Sequence, residues 1–427
     1  MVRYWMILVV VLGSLNVIGQ NAEEWLPLFN GKNLDGWNVM NGTAEYRVEN
    51  EVIIGTSKMH TPNTFLATKK LYGDFILEYE MKMERSLNSG VQIRSNSIAS
   101  YKDGQVHGYQ VECDDTKRRY TAGIYDEGRR GWIYPVKNET SKAAYKNGEW
   151  NKFRVEAIGD YIRTWLNGVP IANLRCELTA KGFIALQVHS IHEQEKEGKS
   201  ICWRNIRIST TNLNKARWEM PDSIVEKSYL FNRLTKREKQ EGWQLLWDGK
   251  SFKGWEQGNG NPLISSEWLI NDRAIVTKGN AAIQIKKEWS NYIFDFEFKV
   301  GKNAEGGIKY FCDEENQSAF VYQIYDDAEK LTDDEKAKGK NLLASLKGRV
   351  PANGQIHGDK RVKLYKRDRW NKARIVVTDT TISQYLNNAK VVELNYAAEG
   401  IEAIKSLIQI ENITGEISYR NLKIKAL

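Results

Sequence analysis

One long segment of the sequence occurs twice, and this duplication constrains the fold more than any other feature. Residues 28–37 (Leu-Phe-Asn-Gly-Lys-Asn-Leu-Asp-Gly-Trp) return as residues 246–255, a displacement of 218 positions (255 − 37). An alternating stretch at residues 77–83 returns at residues 294–300, displaced by 217 (294 − 77). Because further matches occur near the end of each copy, the repeats are whole domains rather than short solenoid units. A chain of 427 residues is long enough for two such domains.

Each copy predicts an antiparallel two-sheet sandwich or jelly roll. Short runs rich in β-branched and aromatic residues alternate with Gly, Asn and Asp turns, and helical periodicity is nearly absent. We therefore expect an all-β chain with a first domain over residues 21–212, a linker with a short helix over 213–242, and a second domain over 243–427. A Lys- and Asp-rich insertion at residues 328–355 of the second copy predicts a surface excursion.

The N-terminal residues predict export. Arg3 precedes an apolar run over residues 4–12 and then small and polar residues, a pattern typical of a signal peptide cleaved near residue 20. No later segment is apolar enough to predict a membrane span. The net charge of +8 is spread along the chain, so the sequence does not indicate nucleic-acid binding. The four cysteines show no zinc spacing, although Cys176 and Cys202 could pair in an oxidising compartment.

Three predicted strands of the first copy place polar side chains on one face. Because side chains alternate between the two faces of a strand, Gln92 and Arg94 are predicted to share a face, and so are Gln187 and His189. The third strand contributes Gln110, Glu112 and Asp114. If these strands share a sheet, one face combines a guanidinium, carboxylates, an imidazole and amides. Such a face is either simply solvated or a groove that handles sugars.

A set of motifs in the first copy resembles the 3-keto-disaccharide hydrolase family. The residues that carry the resemblance are 28–37, 88–91, 108–112, 123–132, 166–168, 186–189 and 204–206. The resemblance occurs in both copies, which together cover nearly the whole chain beyond the signal peptide. It implies a concanavalin-like jelly roll in an exported protein that acts on carbohydrate. It also implies cleavage of glycosides already oxidised at carbon 3, by lyase or hydrolase chemistry.

The second copy departs from this pattern at the polar positions. Aligned strands predict Phe311 for Arg94, Tyr325 for Glu112, Glu411 for His189 and Lys347 for Tyr125. They also predict that Gln323 and Asp327 retain the roles of Gln110 and Asp114. We therefore expect catalysis in the first copy and a supporting or sugar-contacting role for the second.

A ketone at carbon 3 acidifies the proton on carbon 2, so the aglycone can leave by β-elimination. The site then needs a base at carbon 2, a cation or electrophile at the enolate oxygen, and an acid at the leaving oxygen. We expect His189 to be the base, with Glu112 as the runner-up. Arg94 would stabilise the enolate or hold a sugar hydroxyl, or else form a salt bridge with Glu112 or Asp114.

The remaining candidates are substrate contacts and metal ligands. The predicted contacts are Gln92, Gln110, Asp114, Tyr125, Arg129, Arg130, Trp132, Trp165 and Gln187. The charged loop after Tyr125 could instead be held by internal ion pairs, and Trp165 could be a core residue. No spacing requires a cofactor, although Glu112, Asp114 and His189 could hold a divalent metal ion.

Two further functions compete with the 3-keto-glycoside enzyme. A concanavalin-like sandwich also serves as a non-catalytic, lectin-like carbohydrate-binding module. A hydrolase of unoxidised glycans would need two opposed carboxylates. Glu112 and Asp114 are two residues apart, too close for the inverting geometry but compatible with the retaining one.

Overall fold

The computed structural model describes residues 25–263, 268–313, 318–326, 343–352, 364–366, 369–403 and 405–427. The predicted signal peptide and much of the predicted insertion at 328–355 lie outside these ranges. The chain divides into two compact units, of which the first ends at Ser228 and the second begins at Tyr229. The charged part of the predicted linker contains a short helix, Lys236–Gln240, capped by Thr235 and Glu238.

The first unit is a sandwich of a nine-stranded and a seven-stranded sheet. Its strands are β1 (Leu26–Pro27), β2 (Trp37–Asn41), β3 (Glu45–Glu49), β4 (Val52–Thr56), β5 (Thr64–Thr68), β6 (Phe75–Met83), β7 (Asn88–Asn96), β8 (His107–Asp114), β9 (Ile124–Glu127), β10 (Gly131–Tyr134), β11 (Asn151–Ile158), β12 (Tyr161–Leu166), β13 (Val169–Arg175), β14 (Phe183–Val188), β15 (Ser200–Ser209) and β16 (Lys227–Ser228). The larger sheet has the order β16-β13-β12-β11-β6-β15-β4-β3, with β1 paired to β15. The smaller has the order β10-β9-β8-β7-β14-β5-β2, and all pairs except β13–β16 are antiparallel. Two short helices, α1 (Glu139–Ala143) and α2 (Leu213–Ala216), complete the unit.

The described part of the second unit repeats this architecture with fewer strands. Its strands are β17 (Gln244–Leu245), β18 (Trp255–Gln257), β19 (Trp268–Asn271), β20 (Ala274–Lys278), β21 (Ala281–Ile285), β22 (Tyr292–Val300), β23 (Glu305–Asp313), β24 (Ser318–Tyr325), β25 (Asn371–Val377), β26 (Thr381–Leu386), β27 (Ala389–Asn395), β28 (Gln409–Thr414) and β29 (Glu416–Ala426). The described residues form an eight-stranded sheet, β19-β20-β29-β22-β25-β26-β27 with β17 on β29, and a five-stranded sheet, β18-β21-β28-β23-β24. The prediction of an all-β chain with two tandem sandwiches is therefore confirmed.

The core of each unit lies between its two sheets. In the first unit, a Cβ added at Gly55 of β4 would come within 2.6 Å of the Val188 side chain of β14, which belongs to the facing sheet. The Tyr46 hydroxyl also crosses the core and donates to the Leu186 carbonyl at 2.8 Å. In the second unit, the rings of Phe296 and Tyr322 meet edge to face with centroids 5.5 Å apart. Inward-facing residues are apolar because close packing leaves no water to solvate them.

The repeated Asn-Gly-Lys and Asp-Gly-Lys motifs make the same turn in both units. Asn30 Oδ1 accepts the backbone N–H groups two and three residues further on, at 2.8 and 3.0 Å. Asp248 Oδ1 accepts the corresponding groups at 2.8 and 3.0 Å. The next residues, Gly31 and Gly249, have φ of 76° and 80°, which favours glycine.

The asparagine of the repeated Trp-Asn-Lys motif is buried and holds the preceding loop by hydrogen bonds, an arrangement we call the clamp. Asn151 accepts from the backbone N–H of Lys146 at 2.9 Å and donates to the carbonyls of residues 146 and 149 at 2.8 and 2.9 Å. Asn371 makes the same three bonds to residues 366 and 369, at 2.9, 2.8 and 2.9 Å. Each asparagine therefore holds the loop that leads into an interior strand of its larger sheet, β11 or β25.

Replacing Asn151 with Ala should lower the free energy of unfolding of the first unit by about 2–4 kcal/mol, because it removes the three hydrogen bonds that the buried amide makes to the loop backbone. Asn371→Ala should do the same in the second unit. Urea unfolding together with hydrogen exchange of strand amides in each unit would measure this. Asn147→Ala, in the same loop but exposed, should change stability by less than about 0.5 kcal/mol. Equal effects of Asn147→Ala and Asn151→Ala would contradict the clamp.

Candidate active site

One face of the seven-stranded sheet carries a cluster of polar side chains. Gly90 of β7 lies opposite Glu112 of β8, and Gln92 lies opposite Gln110, which in turn lies opposite Tyr125 of β9. On the other side of β7, Leu186 pairs with Val91, so Gln187 falls beside Gly90 on the same face. We call this set the polar face: Asn88, Gln92, Gln110, Glu112, Tyr125 and Gln187.

Gly90 leaves room for the Gln110 side chain at the centre of the polar face. A Cβ at this position would lie 2.6 Å from Gln110 Cγ and 2.8 Å from its Cδ. Since Gly90 has no side chain, Gln110 lies across the space between Gln187 and Glu112. The neighbouring apolar part of the same face, Phe65, Ala67, Phe183 and Ala185, packs against Val106.

A continuous chain of hydrogen bonds ends at the Glu112 carboxylate. Ser95 Oγ donates to Gln92 Oε1 at 2.6 Å, Gln92 Nε2 donates to Gln110 Oε1 at 2.6 Å, and Gln110 Nε2 donates to Glu112 Oε2 at 2.8 Å. On the other side, Asn88 Nδ2 donates to Glu112 Oε1 at 2.6 Å. Both carboxylate oxygens are therefore fixed in direction by amide donors whose own positions are fixed.

Burial gives Glu112 the ionisation behaviour of a neutral-pH acid or base. Only 4% of the residue is exposed. Desolvation raises the pKa of its carboxyl from 4.5 to about 7, against the lowering effect of the Gln110 and Asn88 hydrogen bonds. The nearby acids Asp114 and Glu127 add to the increase. A carboxyl of this kind can both accept and release a proton near pH 7.

An aromatic and acidic edge borders Glu112. The ring of Tyr125 meets that of Trp132 edge to face, with centroids 5.3 Å apart, and Tyr120 meets Trp132 at 4.8 Å. Burial raises the pKa of Tyr125 and of Glu127, and each group also feels neighbouring acids. Asn63 Nδ2 donates to Glu127 Oε1 at 3.4 Å. These half-buried groups form the accessible rim of the polar face.

His189 lies just beyond the end of β14, two residues after Gln187, so strand alternation places both on the same side of the sheet. Its Nδ1 is 2.6 Å from the Ser190 carbonyl oxygen. Because a carbonyl can only accept, Nδ1 carries the proton and Nε2 carries the lone pair. Burial lowers the pKa of His189, so the ring is neutral at pH 7. The Ser190 N–H donates to Asn63 at 2.9 Å, which ties this segment to the Glu127 side of the rim.

The prediction that Arg94 shares the polar face is wrong. The register of β7 on β8 shifts between Ile93 and Asn96, and Arg94 has φ of 46°, so the alternation breaks there. Its buried guanidinium donates to the carbonyls of Gly73 and Gly159, at 2.7 and 2.8 Å, and to Asp74 at 2.8 Å. Arg94 therefore ties connecting loops together and does not reach Glu112.

Asp114 is likewise occupied by the loop that follows β8. Asp114 Oδ1 accepts the Thr116 N–H at 3.0 Å, and Oδ2 accepts from Arg118 at 3.1 Å. Among the residues that the structure describes, no three His, Cys, Asp or Glu side chains are grouped so that they could hold a metal ion. The predicted set of Glu112, Asp114 and His189 is therefore not brought together as a metal site.

The predicted contacts Arg129, Arg130 and Trp165 also lie away from the polar face. Arg129 Nε donates to buried Asp126 at 2.7 Å, and Arg130 forms a second short ion pair with the same carboxylate, which is the internal pairing considered as an alternative. Trp165 belongs to the nine-stranded sheet and packs edge to face on Trp218 at 5.7 Å. By contrast, Asn63 and Asn88 belong to the site and were not predicted to, and Glu127 was predicted only as part of the charged loop around Tyr125. Asn63 lies in a connecting segment and carries no sequence signal of this kind, whereas Asn88 and Glu127 follow the strand alternation of Gly90 and Tyr125.

The second unit confirms two predicted replacements. Phe311, with φ of 54°, occupies the bulge position of Arg94. The backbone N–H of Lys347 donates to the Val321 carbonyl at 3.0 Å. Val321 stands at the position of Gln110, so Lys347 occupies the place of Tyr125, which lies opposite Gln110. The predicted retention of Asp114 as Asp327 lies outside the described residues.

Three other replacements were displaced by two residues. Gly307 lies opposite both Gln323 and Glu411, as Gly90 lies opposite Glu112 and beside Gln187. Gln323 therefore stands at the position of Glu112 and not at that of Gln110. Tyr325, which was predicted to replace Glu112, does not stand there. Glu411 stands at the Gln187 position, not at that of His189. A slip of two residues preserves the alternation of a strand, so the sequence pattern could not detect it.

Comparison with known proteins assigns the family. The model of the 3-keto-alpha-glucoside-1,2-lyase-like domain matches residues 24–209 and 242–425. The chain belongs to this family and contains two copies of its domain. This confirms the resemblance seen in the sequence and places the protein with carbohydrate-active, lyase-like proteins.

Three solved structures that resemble the chain each cover less than half of it. Two are named "putative glycosyl hydrolase" from Parabacteroides distasonis. The first is 19% identical to this chain, covers 46% of this chain and 100% of its own, and has a TM-score of 0.38. The second is 21% identical, covers 43% of this chain and 99% of its own, and has a TM-score of 0.35. The carbohydrate-binding module CBM66 from Bacillus subtilis is 17% identical, covers 41% and 96%, and has a TM-score of 0.31. A search of curated proteins gave no match. Within the described residues, no helix has the length and apolar character needed to cross a membrane.

Arg94→Met should lower the free energy of unfolding by about 3–5 kcal/mol, because it leaves two buried carbonyls without donors and breaks the Asp74 pair. At temperatures where the variant is folded, any turnover should stay within about threefold of wild type. Arg47→Met, which breaks an exposed ion pair, should cost less than about 1 kcal/mol. A stable Arg94→Met protein with greatly reduced turnover would restore Arg94 to the site.

Glu112→Gln should remove a pH-dependent loss of stability. The folded pKa of about 7 lies above the ordinary 4.5, so the folded state binds more protons than the unfolded state between these values. The contribution of Glu112 is fully present below pH 4.5 and is lost as pH rises through 7, by roughly 3 kcal/mol. Urea unfolding at several pH values should show wild type weakening relative to Glu112→Gln over this window. The control Glu195→Gln, at an exposed position, should show the same pH dependence of stability as wild type. If Glu112→Gln also shows the wild-type dependence, the Glu112 carboxyl does not have a raised pKa.

Proposed function

We propose that the first unit cleaves 3-keto-glycosides by β-elimination, with Glu112 as the base that removes the proton from carbon 2. The observation that carries this proposal is the buried Glu112 carboxyl, held by two amide donors with its pKa raised to about 7. A lectin has no need of a group that titrates at neutral pH, and desolvating a carboxyl is costly. The family assignment supports substrates oxidised at carbon 3.

The reaction needs no external oxidant or reductant. Glu112 takes the carbon 2 proton, and the electron pair of that C–H bond forms an enolate with the carbon 3 oxygen. The enolate then re-forms the ketone as the C1–O bond breaks, and the leaving oxygen takes up a proton. Addition of water across the resulting C1–C2 double bond gives the free 3-keto sugar.

The rim supplies groups for the other steps. Tyr125, whose pKa is raised, is a neutral phenol that can donate to the enolate oxygen in place of the excluded Arg94. Glu127, also with a raised pKa, retains a proton to higher pH than an ordinary carboxyl and can protonate the leaving oxygen. His189, favoured as the base from the sequence, offers a neutral Nε2 at the rim; we assign it to activating the water that adds later.

Gln187 supports a polar ligand at this site. Its side chain is buried, and neither Nε2 nor Oε1 has a hydrogen-bond partner among the described residues. Such atoms cost about 1–3 kcal/mol each when unpaired. An amide offers a donor beside an acceptor, which complements the adjacent carbonyl and hydroxyl of a 3-keto sugar. We also propose that the protein is exported, on the pattern of residues 1–20.

With an aryl 3-keto-glucoside, kcat/KM should rise with pH through about 7, because Glu112 must be deprotonated to act as the base. Glu112→Gln should lower it by about 10²–10⁴-fold, the usual contribution of a positioned general base. Glu195→Gln serves as the control. Aglycone release, followed with and without a chelator, is the measurement. If Glu112→Gln retains full activity while His189→Ala loses it, the roles of base are reversed.

The unoxidised aryl glucoside in the same assay separates the competing functions. Its cleavage would indicate an ordinary glycoside hydrolase. Asp114 is not available as the second carboxylate, because its oxygens are held by Thr116 and Arg118. Saturable binding of glycans with no turnover of either substrate would indicate a lectin-like protein and would overturn the proposal.

A further inference from the structure

The face of the second unit that corresponds to the polar face has a different chemistry. Its counterparts, by strand register, are Glu305 for Asn88, Lys309 for Gln92, Gln323 for Glu112, Lys347 for Tyr125 and Glu411 for Gln187. The buried acid has thus become a neutral amide, and charged groups of both signs surround it. We call this set, with Glu256, Gln284 and Gln409, the amide face.

Two partly exposed ion pairs organise the amide face. Lys309 Nζ is 2.8 Å from Glu411 Oε2, with side chains 36% and 13% exposed. Lys347 Nζ is 3.4 Å from Glu305 Oε1, with side chains 33% and 30% exposed. Pairs of this exposure contribute little to stability, about 0–1 kcal/mol. They nevertheless hold donors and acceptors side by side where a ligand can reach them.

Amides extend the face across two further strands. Gln284 Nε2 donates to Glu256 Oε1 at 3.0 Å, and Gln409 Nε2 donates to Gln284 Oε1 at 3.2 Å. Gln284 and Gln409 lie opposite each other at the positions that Ala67 and Ala185 occupy in the first unit. Polar side chains have therefore replaced the apolar part of the first unit's face.

Gln323 points to a missing partner on this face. Its side chain is buried, and Nε2 donates to Glu305 at 3.2 Å, but Oε1 has no partner among the described residues. A buried carbonyl oxygen without a donor is costly and is satisfied when a hydroxyl or N–H group reaches it.

We propose that the amide face is a non-catalytic binding site for neutral, unoxidised oligosaccharides. Among the described residues, each charged group of the face lies in an ion pair: Lys309 with Glu411, Lys347 with Glu305, and Glu256 with Lys286 at the edge of the face. These charges balance, so they favour neither an anionic nor a cationic ligand. Alternating donors and acceptors suit vicinal hydroxyl groups. Because Gln323 replaces the titrating acid, the site binds without removing a proton.

The test is calorimetric titration of the full chain with maltohexaose, cellohexaose and laminarihexaose. At least one should bind saturably. The double variant Lys309→Ala/Glu411→Ala, and separately Lys347→Met, should weaken that binding at least tenfold. Arg374→Ala/Asp295→Ala removes an ion pair of the eight-stranded sheet and is the matched control; it should bind like wild type. Thermal unfolding and circular dichroism should show that each variant is folded.

Turnover of the 3-keto substrate distinguishes this site from the proposed active site. Glu112→Gln should leave oligosaccharide binding unchanged, and Lys347→Met should leave aglycone release unchanged. The inference is overturned if none of the three oligosaccharides binds. It is also overturned if binding survives both second-unit variants or is lost in Glu112→Gln.

Discussion

The structure of the first unit's site depends on one opposition: burial disfavours the Glu112 carboxylate, while fixed amides favour it. Two hydrogen bonds to its oxygens would alone keep the pKa low, yet desolvation exceeds them and raises it to about 7. The amides of Gln110 and Asn88 are themselves held by the sheet register and by the bond from Gln92. The carboxyl therefore has a defined direction and is ready to exchange a proton at neutral pH. Tyr125 and Glu127 beside it supply the other groups that an elimination needs.

Both sandwiches share one framework, and the two units differ where side chains leave the sheet. The turn at Asn30 and Asp248 and the clamp at Asn151 and Asn371 have the same hydrogen bonds in both units. These residues satisfy backbone groups, so their replacement would cost stability in either unit. Side chains on the outer face of the smaller sheet do not have to satisfy backbone groups. Glu112 and its counterpart Gln323 therefore differ without disturbing the fold, which lets one scaffold carry a proposed catalytic site and a proposed binding site.

The sequence predicted the duplicated sandwich and the shared face of Glu112, Gln110, Gln92 and Gln187, because strand alternation is regular there, although it favoured His189 over Glu112 as the base. It failed at Arg94, where a bulge turns the side chain toward the loops around Gly73 and Gly159, since a bulge leaves no mark on a pattern of period two. It failed again in aligning the second copy, where a two-residue slip keeps every polar residue on the correct face. The raised pKa of Glu112 depends on burial by segments distant in sequence, so only the structure could supply it.

Carbon-13 NMR of glutamate side-chain carboxyls tests the central claim most directly. The spectrum of wild type contains one resonance that is absent from Glu112→Gln, and its chemical shift can be followed from pH 3 to 9. A midpoint near 7 is expected, well above the ordinary glutamate value of 4.5. A midpoint near 4.5 would show that the carboxyl is solvated and would contradict both the buried site and the elimination chemistry built on it.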